Sequence, residues 1–262
     1  MVASLSVGAS GRMLLMVAVL LASVRPGVAQ TLAAANFLAG HSKTCVNCAL
    51  VGARLKQRNL SGDDLTGADL SHAVMHRAEL GGAKLDGANL TDANLNKTDL
   101  KAASLVRVKA ENAMFYGSDM SAADLSGADL VNAKMQMALL IRAKLDGAKI
   151  SDVMLTQARL DDASLQGADL SRTNLVQASL RRANLAGANL DNAGLLNAVL
   201  RDASLRGARL TQADLYDADL SGADLSGADL SGARLTGAIL TGAVMTGVKL
   251  SGTLMPDGSV HD

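Results

Sequence analysis

The sequence predicts an all-β repeat fold, built from short extended segments joined by regular bends, and three observations carry that expectation. A five-residue period runs from about residue 48 to residue 255 without losing register, its centres are mostly Leu, and the residue two before each centre is mostly Ala. About 42 repeats fit this span, with Leu at about 34 centres and Ala at about 32 of the preceding sites. The cleanest run is Ala223-Asp224-Leu225-Ser226-Gly227-Ala228-Asp229-Leu230-Ser231-Gly232. The other centres are Met75, Phe115, Met120, Met135, Ile150, Met245 and Met255, which conserve bulk, and Ala110, which does not.

A period of five matches neither plain element. A helix requires about 3.6 residues per turn, a coiled coil about 3.5 and a flat strand 2. Each repeat is therefore expected to be an extended tripeptide, with Leu and the Ala two before it on one side and the remaining residues facing water. The bend falls at the pair after Leu, as in Ser126-Gly127, Asp146-Gly147 and Thr236-Gly237, where Gly suits a positive φ.

The Ala-(Asp/Asn)-Leu-x-x pattern resembles the pentapeptide-repeat family over about four-fifths of the chain. The resemblance implies a right-handed, four-sided β-helix in which four repeats make one square coil. On that basis the repeats form roughly ten coils, stacked at about 4.8 Å into a rod on the order of 50 Å long. The shaft is then filled by stacked Leu and Ala, with no space for a ligand. Only Phe37, Phe115, Tyr116 and Tyr216 are aromatic, so an outer pocket would lack the usual lining.

Taken in chain order, residues 1–29 read as a secretory signal peptide. Met13 to Val24 is apolar, Arg12 precedes it, Arg25 follows it, and small Gly27 and Ala29 suit cleavage after Ala29. The apolar run is short for a bilayer span, although an uncleaved anchor and a plain apolar helix are the other readings. The mature chain is expected outside the cytoplasm, in a bacterial periplasm. Without the leader, basic and acidic residues nearly balance, which indicates neither a nucleic-acid footprint nor a strongly acidic surface.

Residues 30–47 read as a cap. Thr31 to Ala39 is expected to be helical, to cover the open end with Leu32, Ala35, Phe37 and Leu38, and to stop at Gly40. The repeat register, extended backwards, points both Cys45 and Cys48 inward. In an exported chain these residues suit a disulfide or a packed pair. A redox centre lacks its βαβ context, a metal site with His41 lacks a fourth ligand, and covalent haem attachment would need a His where Ala49 stands. Arg58 and Asp63 occupy Ala-type sites, where an ion pair or solvent access is expected because buried unpaired charge is costly.

Residues 48–255 form the rod. With four repeats per coil, positions 20 apart share a face, and one face collects Val74, Met114, Tyr116, Met137, Met154, Val176, Leu196 and Tyr216. That apolar density marks a candidate partner surface in a shell otherwise rich in Asp, Asn, Ser, Thr, Lys and Arg. A second face interleaves Arg142, Arg159, Arg181, Arg182 and Arg201 with Asp161, Asp162 and Asp202, which reads as a salt-bridge lattice. At Val108-Lys109-Ala110 a local bulge is expected, with Phe115 filling part of the volume that Ala110 leaves. Residues 256–262 are a tail without a capping helix. Pro256 stops the ladder, and Ile239, Val244, Leu254 and Met255 are candidates for end-to-end contact in a homodimer.

No catalytic, cofactor-binding or metal constellation is expected, because His41, His72, His76 and His261 are scattered over the cap, the early turns and the tail. The leading reading is a non-catalytic exported rod that binds a protein or envelope component through its outer faces. The alternatives are a redox or metal role at Cys45 and Cys48 and, from the family resemblance, DNA mimicry at gyrase. Against mimicry stand the export signal, the balanced charge, the scarcity of Phe centres and the lack of a C-terminal dimerisation helix.

Overall fold

The computed structural model describes residues 26–262, with side chains from residue 30 onward. The expected leader segment Met13 to Val24 lies outside the described residues, and the expected cut after Ala29 falls within the first helix. The order of elements is α1 (Pro26–Leu38), the repeat coils, β1 (Thr253–Leu254) and β2 (Val260–His261). Among the described residues, no helix is long and apolar enough to cross a membrane.

The rod is a right-handed quadrilateral β-helix. Parallel backbone bridges join residues 20 apart in unbroken register, from Thr44↔Asp64 to Arg234↔Leu254. The ladder therefore begins just before Cys45. Each centre donates its N–H to the coil above, and the residue before it donates to the coil below, as in Leu65 to Lys84 O (2.7 Å) and Asp69 to Cys48 O (2.8 Å). Between centres the chain turns through a corner closed by the N–H of the third residue, such as Ala53 to Leu50 O at 3.0 Å.

The second residue of each corner is left-handed, with φ between 53° and 73° from Asn47 to Gly252. Twenty-four of these corner residues are not glycine, so the turn itself does not demand Gly, which only lowers its conformational cost. The residue before the centre supplies compensation. An Asp or Asn there accepts the N–H two residues later, as Asp64 does from Thr66 (3.1 Å), and Ser126 Oγ adds a second bond to Asp124 at 2.6 Å.

The core follows the pentad. Leu centres are buried from Leu50 to Leu235, and their Ala partners are buried from Ala68 to Ala233, while Ala53 in the first coil is half-buried. Where a hydroxyl replaces Ala it donates to a carbonyl: Thr98 to Leu95 (2.6 Å), Ser118 to Leu95 (2.7 Å) and Thr253 to Leu230 (2.8 Å). The bulge expected at Ala110 does not form. Lys109 bridges both Asn89 and Asp129, the Ala110 N–H keeps its bond to Asp129 O, and both Ala110 and Phe115 are buried. Backbone pairing above and below holds the register through one undersized side chain.

The cap uses a different helix face from the one expected. Ala34 and Phe37 are buried, whereas Leu32 and Leu38 are 58% and 45% exposed and Ala35 is exposed. An i, i+3 pair is enough to plug a narrow shaft. Gly40, at φ 78°, ends α1 in a Schellman arrangement: its N–H reaches Phe37 O (2.9 Å) and that of His41 reaches Asn36 O (2.8 Å). Arg58 fastens the cap to the first coil. It donates to Leu38 O at 3.0 Å and Phe37 O at 3.2 Å, with its guanidinium over the Phe37 ring. Of the two expectations, an ion pair or solvent access, the Arg58–Asp63 ion pair does not form, while Arg58 keeps partial solvent access and caps the helix. Asp63 stays 5% exposed, and burial pushes its carboxyl above the ordinary range against the pull of Lys43 and Arg58.

Candidate functional site

Four outer faces are available, numbered by their centres: face 1 through Leu65, face 2 through Leu70, face 3 through Met75 and face 4 through Leu80. All eight residues grouped from the sequence fall on face 3. Val74, Tyr116, Met137, Met154 and Tyr216 are more than a third exposed, while Met114, Val176 and Leu196 are half-buried against the coil.

The column before the centres runs Arg54, Val74, Asn94, Met114, Lys134 and Met154, each bridged to the next. The stripe is internally organised. Tyr116 Oη donates to Met137 Sδ at 3.2 Å, Gln136 Nε2 to Met154 Sδ at 3.3 Å and Gln157 Nε2 to Gln177 Oε1 at 3.0 Å. Arg234 stacks over Tyr216 with 4.9 Å to the ring centroid while pairing bidentately with Asp214. The aromatic and thioether groups of this stripe are thus tied to neighbours in adjacent coils while keeping apolar area exposed.

Face 4 carries the ion lattice, with a partner change. Arg159 and Arg181 both reach Asp161, and Arg182 grips Asp162 bidentately at 2.7 Å. Arg201 pairs with Asp219 rather than with Asp202. Asp202 instead lies across Gly222 in the coil above. Arg182 lowers the carboxyl of Asp162, as Arg172 does that of Asp152 on face 2. Fixed pairs of this kind leave their charges spent within the rod.

At the cap, Cys45 and Cys48 are joined as a disulfide with Cα atoms 5.3 Å apart, both 1% exposed. With its sulfurs bonded to each other and buried, the pair offers neither a thiolate nor a metal ligand in this state. Among the described residues no cluster of three or more His, Cys, Asp or Glu is arranged to hold a metal.

At the far end, Ile239, Val244 and Leu254 are exposed but project sideways, and Met255 is half-buried. The end surface itself consists of half-buried Leu240, Met245 and Leu250. Their amides, which in earlier coils donate upward, have no coil to meet. The tail closes one side: β2 pairs antiparallel with β1, Gly252 N–H donates to His261 O (2.7 Å), and Met255 N–H donates to Ser259 O (2.8 Å). Sequence reasoning missed this return because the turn at Pro256 to Gly258 falls outside the repeat.

The pentapeptide-repeat family model matches this chain in eight copies, from residue 48 to residue 255. The chain belongs to the pentapeptide-repeat family. Among solved structures it is similar to HetL of the cyanobacterium Nostoc sp. strain PCC 7120, a pentapeptide-repeat protein involved in regulating heterocyst differentiation. The identity is 33%, covering 86% of this chain and 96% of HetL with a TM-score of 0.46. It is also similar to QnrB1, a plasmid-mediated fluoroquinolone resistance protein, at 26% identity over 58% of this chain and 88% of QnrB1, with a TM-score of 0.33. A third similar structure is Rfr23 of the cyanobacterium Cyanothece 51142, at 36% identity over 43% of this chain and 66% of Rfr23, with a TM-score of 0.23. No curated protein matches the chain.

Proposed function

We propose that this pentapeptide-repeat protein is a non-catalytic binding rod, exported to the bacterial periplasm, that holds a protein or envelope component against face 3. The observation that carries this reading is the row of Tyr, Met and Val side chains standing exposed on a shaft whose interior is filled. Export is supported by the leader sequence and by a cysteine pair suited to an oxidising compartment. DNA mimicry calls for a continuous acidic surface, whereas face 3 carries no Asp or Glu at its outward positions from Arg54 to Asn197.

The test is to express the full chain with a C-terminal tag, fractionate the cells, sequence the mature N-terminus and identify co-purifying proteins. A periplasmic product beginning near Gln30 that retains a specific partner, lost on Met154→Asp with Val176→Asp at unchanged thermal unfolding, is the expected result. An uncut cytoplasmic product, or capture indifferent to both substitutions, overturns the reading.

A further inference from the structure

Face 3 differs from the others in how its charges are used. Twelve of the rod's lysines and arginines are ion-paired with aspartates, and on faces 2 and 4 these pairs form ladders. Face 3 presents Arg54, Lys56, Arg77, Lys97 and Lys134, all exposed and none within ion-pair distance of a carboxylate. Eight coil steps, about 38 Å at the usual inter-strand spacing, separate Arg54 from Asp214, the first acid on this face. Among the described residues, Lys43, Lys84, Arg107, Lys109 and Arg142 are also outside ion-pair distance on the other three faces, but those faces interleave them with acids. Face 3 from Arg54 to Lys134 instead sets five cations beside exposed Met and Tyr groups with no acid among them, and forms its one ion pair only at Arg234 and Asp214.

We propose that the partner of face 3 is an acidic, amphipathic polypeptide segment, whose carboxylates meet these cations and whose apolar residues meet the Met and Tyr stripe. The inference rests on the binding-rod reading and adds the partner's chemistry to it. Charge complementarity selects the occupant: a second copy would bring cations onto cations over most of the strip, since its acids begin only at Asp214. Between the apolar groups stand amides, including Asn94, Asn96, Gln136 and Gln157. Sinking them into hydrocarbon would strip their hydration with nothing to replace it, whereas a peptide backbone satisfies them, so an anionic bilayer fits less well. An extended segment of about twelve residues matches the strip's length.

The experiment titrates the full chain with a dye-labelled peptide of about twelve alternating Glu and Leu residues, and with its Lys-for-Glu counterpart, in about 50 mM salt. Vesicles of phosphatidylglycerol and phosphatidylcholine are run in parallel. The Glu peptide is expected to bind and the Lys peptide not to bind. Arg77→Glu with Lys97→Glu is expected to weaken binding about tenfold or more at unchanged thermal midpoint, whereas Lys84→Glu with Lys109→Glu, the same charge change on faces 1 and 2, changes it less than about twofold. Equal loss in both pairs, no binding of the Glu peptide, or preference for the vesicles overturns the proposal. Met154→Asp with Val176→Asp separates the two readings: if this pair abolishes peptide binding while the Arg77 and Lys97 pair does not, face 3 stands and the acidic partner falls.

Discussion

At Gly222 a Cβ would overlap Asp202 Oδ1 and lie 3.4 Å from its Cγ, on a backbone with φ of +70°. Gly187 is equally left-handed, at +66°, but has nothing within 4 Å. Gly222→Ala is therefore expected to cost about 1 kcal/mol for the backbone plus the displacement of Asp202, and Gly187→Ala only the backbone share. Ala122→Gly, at φ 58°, is expected to change stability in the opposite direction by less than about 1 kcal/mol. Urea denaturation of the three variants checks the order, and equal losses at Gly222 and Gly187 would contradict it. These positions show where sequence reading stops. The pentad announces a corner at every repeat, but which glycine carries a neighbour's side chain depends on the residue 20 positions earlier. Arg58 is similar: its odd place at an Ala site was legible, while its bonds to Phe37 and Leu38 depend on where α1 comes to rest. Arg58→Ala is expected to cost about 1–3 kcal/mol and to speed hydrogen exchange in α1 more than in the middle coils.

The coil is the cooperative unit, and its position decides what a core substitution costs. Leu160 is fully buried between coils, while Leu240 is half-buried at the open end. Leu160→Ala is expected to lose about 2–5 kcal/mol and Leu240→Ala well under half of that, read from denaturation midpoints. Similar losses would contradict an end that lacks a covering coil. The period alone revealed the coil, because Leu and Ala recur at every fifth position with no insertion to obscure it. It also led to an expected bulge at Ala110 that backbone pairing does not allow, since Lys109 is bridged on both sides. The tail, the helix face used by the cap and the destination of Arg201 were not legible, because each depends on three-dimensional neighbours that no repeat position encodes. The face 3 stripe was legible by counting in twenties, whereas its unpaired cations became apparent only once the ion pairs of the other faces were placed.

Over the whole molecule, the ladders of Asp side chains set the acid limit. Hydrogen bonds from Ser226 and then Arg206 hold Asp224 down to about 2 from its ordinary 3.8, and Asp152, Asp162 and Asp229 are lowered in the same sense. A lowered carboxyl in the folded state adds stability above its unfolded value and loses it as pH falls through the folded one. The thermal midpoint is thus expected to drop between pH 3.8 and about 2. Asp63 opposes this trend, because its raised value makes ionisation in the folded state unfavourable as pH rises. Asp63→Asn is expected to leave the rod as stable or more stable at neutral pH, measured by thermal unfolding. The rod's interior is filled by packing and about half of its charges are held in ion pairs, so the proposed binding role falls to the outer surface. The most direct measurement is site-specific photo-crosslinking in cells, with the crosslinker placed in turn at Met137, Met154 and Tyr216 on face 3 and at Gln166 on face 1. Covalent capture of one protein from the face 3 positions and none from Gln166 is the expected result. Capture from Gln166 alone, or equally from every position, would contradict face 3 as the binding surface.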